Sequence, residues 1–210
     1  LIEETMAAAI GANLPVTEAT GSMIVDIGGG TTEVGILSLG GIVYAKSVKY
    51  GGDKMDEAII SYVRNHYNLL IGESTAEKIK KTIGLACFLE KDGNKKVKVK
   101  GRDLTNGIPK EITLDEKQIA ESLKDIAEEI VLAIKNALES TPPELSSDII
   151  ERGILLSGGG AMIKNLDYII TKSTGVPVFV AENPLLCVVN GSGKVLENMN
   201  LFRGVVFRQD

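Results

Sequence analysis

Residues 22–38 read Ser-Met-Ile-Val-Asp-Ile-Gly-Gly-Gly-Thr-Thr-Glu-Val-Gly-Ile-Leu-Ser. The first six residues predict a short buried strand, because apolar and β-branched side chains dominate them. Three glycines follow, and β-branched residues resume at Thr31. The glycine pair Gly40-Gly41 precedes a third strand pattern over residues 42–49. Three strands joined by glycine turns predict an antiparallel meander.

The remaining patterns place helices and a hairpin between this meander and a final alternation of strands and helices. In chain order they predict a helical stripe over 53–70, a helix over 74–83, a hairpin over 95–114 with its turn at Asn106-Gly107, a long helix over 116–138, a strand over 153–157, a helix over 161–174, a strand over 176–180 and a helix from Pro184 to 197. We expect a mixed α/β core that carries an inserted helix-and-hairpin block.

Composition narrows the class of protein. The 210 residues include 23 basic and 28 acidic side chains, giving a formal charge of −5, and 44% are hydrophobic. Such a chain is globular, and its acidity argues against a nucleic-acid partner. Cys87, Cys187 and the single histidine, His66, suit neither a zinc site nor a disulfide framework. The sequence shows no apolar run of membrane-spanning length and no signal-peptide pattern, so we expect a soluble protein of a reducing compartment.

The first ten residues read as the middle of a protein. The chain starts at Leu1 inside an alanine-rich helical pattern over residues 4–11. We therefore expect it to be a piece of a longer polypeptide.

The loop from Asp26 to Thr31 is a candidate phosphate site. Its glycines let backbone N–H groups approach phosphate oxygens, and Thr31 adds a hydroxyl donor. Asp26 is suited to a hydrated Mg²⁺ ion. A plain tight hairpin is the alternative. A dinucleotide fingerprint fails because Glu33 replaces the third glycine, and residues 191–194 lack the flanks of a P-loop and favour a small-residue helix surface.

Two further features are candidates for binding a flat ligand. Gly158, Gly159 and Gly160 follow a predicted strand, so a purine could lie against this side-chain-free turn; a glycine-rich helix start is the alternative. Glu77 and Lys80 lie three residues apart on one helix face and can reach one ligand. A capping box between Ser74 and Glu77 is the alternative role for that glutamate.

These motifs resemble the superfamily of actin, sugar-kinase and heat-shock-chaperone ATPases. Within it, residues 3–198 are similar to the MreB family of bacterial actin-like cell-shape proteins. The stretches that carry the resemblance are Asp26-Ile27-Gly28-Gly29-Gly30-Thr31-Thr32-Glu33-Val34, Tyr67-Asn68-Leu69-Leu70-Ile71-Gly72-Glu73, Gly101-Arg102-Asp103-Leu104 and Thr141-Pro142-Pro143-Glu144-Leu145. Thr5 stands where the family usually has proline.

The resemblance implies an actin-like, ribonuclease-H-like ATPase lobe: a mixed sheet with helices on both faces and a small inserted α+β subdomain. Its implied divisions are residues 1–20 as the tail of a first lobe, 21–52 and 116–183 as the core of a second lobe, 53–115 as the inserted subdomain, and 184–210 as a C-terminal helix and tail.

The resemblance also implies ATP and Mg²⁺ as cofactors. Glu4 would orient the attacking water, and Asp26 would hold Mg²⁺ through water. The implied nucleotide contacts are Gly28, Gly29, Gly30 and Thr31 to phosphate, Glu77 and Lys80 to adenosine, and Gly158, Gly159 and Gly160 to adenine.

The implied function is an ATPase that forms head-to-tail filaments and determines rod cell shape. Its implied partners are cell-wall elongation and membrane-associated shape proteins, at the cytoplasmic face of the bacterial membrane. A chaperone-like ATPase of the same fold is the alternative, and a third hypothesis is a non-catalytic half-site, since we expect this fragment alone to be inactive. A basic cluster fits a solvated strand face, with acidic lipid or a neighbouring subunit as the alternative contact; it comprises Lys91, Lys95, Lys96, Lys98, Lys100 and Arg102.

Overall fold

The computed structural model describes residues 1–205. The helices and strands within that range are α1 (Glu4–Gly11), β1 (Ser22–Ile27), β2 (Thr32–Ser38), β3 (Gly41–Val48), α2 (Gly52–Tyr67), β4 (Leu69–Leu70), α3 (Glu73–Ile83), β5 (Lys96–Asp103), β6 (Pro109–Asp115), α4 (Glu116–Glu139), α5 (Pro143–Arg152), β7 (Ile154–Ser157), α6 (Leu166–Thr174), β8 (Val178–Val180) and α7 (Cys187–Glu197). Single 3-10 turns precede α6 and α7. The predicted C-terminal tail falls partly on residues 206–210, which lie outside the described residues.

A five-stranded mixed sheet of order β3-β2-β1-β7-β8 forms the centre of the molecule. Strands β1, β2 and β3 pair antiparallel, as the meander pattern predicts. Strand β1 also pairs in parallel with β7, and β7 with β8. In this register Asp26 lies between Glu33 on one neighbour and Ser157 on the other. The ends of three strands therefore meet at Asp26.

Helices cover both faces of this sheet. Side chains alternate along β1, so Met23, Val25 and Ile27 enter the core formed with α2, α3, α4 and α6. Ile24 enters the opposite core, which contains side chains of α1 and α7. Each face is thus sealed by its own apolar layer.

A second sheet of three antiparallel strands, β4-β5-β6, lies within the inserted block. Helices α2 and α3 contact it from the same block, and buried residues such as Leu69 and Leu114 join it to the larger core. Lys98 and Lys100 pair with Glu111 across the exposed β5–β6 hairpin. No described helix is both long and apolar enough to cross a membrane.

Several local predictions need correction. Helix α3 begins at Glu73 with Gly72 as its N-cap and no side-chain cap, so the capping box at Ser74 is wrong. The predicted helix from 161 to 174 is a 3-10 turn followed by α6, because Asn165 breaks the helix with φ of 63°. Helix α5 was not predicted; prolines at its start end α4 but suit the first turn of a new helix.

Candidate functional site

A cleft of about 1090 Å³ opens between the end of the five-stranded sheet and helices α2 and α3 of the inserted block. Its lining comes from the first turns of α1 and α2, from one side of α3 along its length, from the loop after β1, from the turn after β7 and from the start of α7 with the segment before it. The predicted site residues among its lining are Glu4, Asp26, Gly28, Gly29, Glu77, Lys80, Gly158, Gly159 and Gly160. Gly30 and Thr31 are exposed and lie outside the lining.

Asp26 is the buried carboxylate at the floor of this cleft. The Ser157 hydroxyl donates to its Oδ1 at 2.7 Å across the parallel strand pair. Burial raises the pKa of Asp26, and the Ser157 hydrogen bond offsets part of that rise. Removing a carboxylate from water disfavours its charged form. A cation or hydrogen-bond donors that approach this side chain would therefore stabilise its charged form.

Two backbone hydrogen bonds from the start of helix α2 fix the glycine loop that follows β1. The Gly52 N–H donates to the Gly28 carbonyl at 3.0 Å, and the Asp53 N–H donates to the Gly29 carbonyl at 2.8 Å. The Gly28 N–H donates to the Thr31 carbonyl and closes the turn. Within the described residues, the N–H groups of Gly29 and Gly30 have no acceptor from the protein. These donors remain available to an anion.

The second glycine turn packs directly on the first loop. Gly158 has φ of 80°, and a methyl group there would overlap the Ile27 carbonyl and lie 2.8 Å from Asp26 Oδ1. Its N–H donates to the Pro184 carbonyl at 2.9 Å, which fixes the turn against the segment before α7. Only a glycine allows this close approach. The absence of side chains leaves a flat surface facing the cleft.

Lys80 connects the two helices of the inserted block. Its ammonium donates to the Gly52 carbonyl and to Asp56 Oδ2, each at 2.7 Å. Lys80 thereby ties α3 to the start of α2, which in turn holds the glycine loop. Glu77 faces the cleft from the same wall but pairs with Lys81 at 2.6 Å.

A group of carboxylates lies where α1 meets the sheet. The Thr5 hydroxyl donates to Glu33 Oε2 at 3.2 Å. Burial raises the pKa of Glu33, and repulsion from Glu4 adds to the rise. The Glu4 side chain thus lies near a second carboxylate that sequence reasoning noted only as a departure from a dinucleotide motif. No described group of three or more histidine, cysteine or acidic side chains is arranged to enclose a metal ion.

Three acidic residues that line the cleft were not predicted from the sequence: Glu73 at the start of α3, and the pair Asp53 and Asp56. Both members of the pair lie in the first turn and a half of α2, directly after Gly51-Gly52. A glycine pair before a helix start indicates close backbone packing, and acidic residues follow it here. That signal would have placed both residues near the first glycine loop.

The chain is similar over its whole length to known proteins. A family model described as MreB/Mbl protein matches residues 1–204. The cell shape-determining protein MreB of Escherichia coli strain K12 is 55% identical over 210 residues, which are all of this chain and 60% of that protein. The cell shape-determining protein Mbl of Bacillus subtilis strain 168 is 46% identical over 200 residues, 95% of this chain and 60% of that protein. The chain therefore spans about three fifths of these relatives.

Solved structures agree on the fold. MreB5 of Spiroplasma citri bound to ADP has a TM-score of 0.90 at 36% identity, over 94% of this chain and 59% of that one. The same protein bound to AMPPNP has a TM-score of 0.90 over 96% and 61%. A MamK double helical filament, 21% identical with a TM-score of 0.73, shares the fold. The predicted actin-like mixed α/β fold is confirmed, and the chain belongs to the MreB/Mbl family.

Proposed function

We propose that the full-length protein containing this chain is an ATP-binding, actin-like filament protein that determines cell shape. The observation that carries the proposal is one cleft lined by two glycine turns and a buried Asp26. The chain is 55% identical to a protein named for determining cell shape. The ADP and AMPPNP bound by MreB5 support an adenine nucleotide as the ligand.

The nucleotide would bind with its phosphates toward the first glycine loop and its base toward the second. The free N–H groups of Gly29 and Gly30 would donate to phosphate oxygens, with the Thr31 hydroxyl as a further donor. The turn Gly158–Gly160 would receive the adenine ring, and Glu77 with Lys80 would contact the adenosine from the opposite wall.

Asp26 fits an ion that keeps most of its water, because it offers one buried carboxylate rather than a cage of ligands. When bound, Mg²⁺ would neutralise charge on the phosphates. Glu4, at the first turn of α1, would orient the water that attacks the terminal phosphate. Positioning of this kind supplies most of the catalysis in phosphoryl transfer.

Self-association is the proposed route from nucleotide binding to function. Head-to-tail stacking is heterologous and extends without closing, and the MamK filament shows that this fold supports a filament. We assign residues 53–115 to one end of the stacking contact and the five-stranded core to the other. Cell-wall elongation and membrane-associated shape proteins are the proposed further partners, at the cytoplasmic face of the membrane.

Sedimentation tests this function. The full-length protein should pellet with Mg·ATP and stay in the supernatant without nucleotide, while the 210-residue chain alone should stay in the supernatant in both cases. Pelleting that does not depend on nucleotide, or a robust ATP-dependent pellet of the chain alone, would contradict the assembly model.

A substitution tests the role of Asp26. Asp26→Ala in the full-length protein should slow hydrolysis more than it weakens ATP binding, because adenosine contacts remain. Hydrolysis that stays within about twofold of the parent would refute the role of Asp26.

A further inference from the structure

We propose that Asp92 is a positioning residue that sets the width of the cleft, by fastening the segment after α3 to the segment before α6. The proposal rests on the function proposed above, since it concerns how tightly the cleft fits a nucleotide. Asp92 lies outside the cleft lining and has no role in the site already described.

The two walls of the cleft converge at one point. Helix α3 ends at Ile83, and the next residue, Gly84, lines the cleft. On the other wall, Ile163 lines the cleft just after the second glycine turn. Immediately beyond both, Leu85 forms a parallel bridge with Lys164, and the Ala86 N–H donates to the Lys164 carbonyl at 2.8 Å. The spacing of the walls is therefore determined at this bridge.

Asp92 clamps the bridge from the side. Its Oδ2 accepts from the Leu89 N–H at 2.8 Å and from Asn165 Nδ2 at 2.7 Å, while its Oδ1 pairs with Lys164 Nζ at 2.8 Å. Asn165 Nδ2 also donates to the Cys87 carbonyl at 2.8 Å. The Asp92 side chain is 2% exposed, so its hydrogen bonds compete little with water. One carboxylate thus gathers donors from both segments.

Loss of the Asp92 side chain should change the affinity of the cleft for nucleotide more than it changes the fold. The inserted sheet and the five-stranded sheet keep their strand pairing, and the apolar core that they share, without Asp92. The polar ties between the two walls at this point would fall to the bridge at Lys164 and the hydrogen bond from Asn165 to the Cys87 carbonyl. A wider cleft holds adenosine less closely and discriminates less against a larger base.

The test compares ADP with etheno-ADP, whose base is one fused ring larger, by calorimetric titration of the full-length protein. Asp92→Ala should weaken ADP binding by about fivefold or more and weaken etheno-ADP binding less, so that the ratio of the two dissociation constants moves toward one. Asn165→Gly should have the same effect, because glycine adopts a φ of 63° without strain and only the amide is lost.

Asp103→Ala is the matched control. Asp103 also accepts from a backbone N–H, that of Thr105, and pairs with a lysine, Lys110, but it does so inside the β5–β6 hairpin. The Asp103→Ala substitution should leave the dissociation constants of ADP and etheno-ADP unchanged. Equal weakening of both ligands by Asp92→Ala, or no weakening, overturns the proposal. An unfolded Asp92→Ala leaves the decision to Asn165→Gly. Failure of the parent protein to bind ADP overturns the proposed function itself.

Discussion

Replacing Gly158 by alanine should destabilise the fold strongly, because three constraints act on this residue together. Its φ of 80° and ψ of 169° lie in a region that essentially only glycine occupies, and other residues there cost of order 1–3 kcal/mol. The added methyl group would overlap the Ile27 carbonyl, and such overpacking costs about 1–3 kcal/mol. The hydrogen bond to Pro184 prevents an easy shift of the turn. The sum is about 2–6 kcal/mol.

Urea unfolding of this chain, followed by circular dichroism, measures that loss. Gly159→Ala is the matched control, because a methyl group there meets only the flexible end of Leu185 at 3.1 Å and the residue does not have a positive φ. We expect the control to lose no more than about 1 kcal/mol. A Gly158→Ala chain within about 1 kcal/mol of the parent would refute the claim that the two glycine turns are locked together.

Three further predictions concern burial, helix packing and the nucleotide affinity of this chain alone. Asp26→Asn should raise the melting temperature of the unliganded chain, because burial raises the pKa of Asp26 and its charged form is destabilising; the gain should shrink as the pH falls through that pKa and the parent carboxyl becomes neutral. Gly191→Ala should cost about 1–3 kcal/mol or more in urea unfolding, because its methyl group would overlap the Ala7 carbonyl of α1, whereas Gly193→Ala meets nothing and should stabilise α7 by about 0.5–1 kcal/mol. This chain alone should bind ATP with a dissociation constant on the order of millimolar, worth only about 4 kcal/mol, and a micromolar value by calorimetry would contradict it.

The local sequence pattern was sufficient to predict most strands of the five-stranded sheet. The strands around Asp26 could be predicted because β-branched runs are interrupted by the glycines at 28–30 and 40–41, and the chain reverses direction at both places. The small-residue interpretation of residues 191–194 was also right for Gly191, which is buried against α1. Helix α5 was not predicted because a proline pair is as typical of the end of one helix as of the first turn of the next.

Contacts between distant parts of the chain could not be predicted from pattern. Lys80 reaches Asp56 across 24 positions, and Ser157 reaches Asp26 across 131. The sequence of one strand does not reveal which later strand pairs with it, so the pairing of Asp26 with Ser157 is seen only in the folded sheet. The long helix α4 begins where the pattern predicts, with a capping box that joins Asp115 to Gln118.

The most direct measurement is a crystal structure of the full-length protein with Mg·AMPPNP. We expect adenine against Gly158–Gly160, the adenosine beside Lys80, phosphates on the N–H groups of Gly29 and Gly30, and Mg²⁺ linked to Asp26 through water. Nucleotide bound elsewhere, or bound in this cleft with its phosphates away from the first glycine loop, would contradict the proposed nucleotide site.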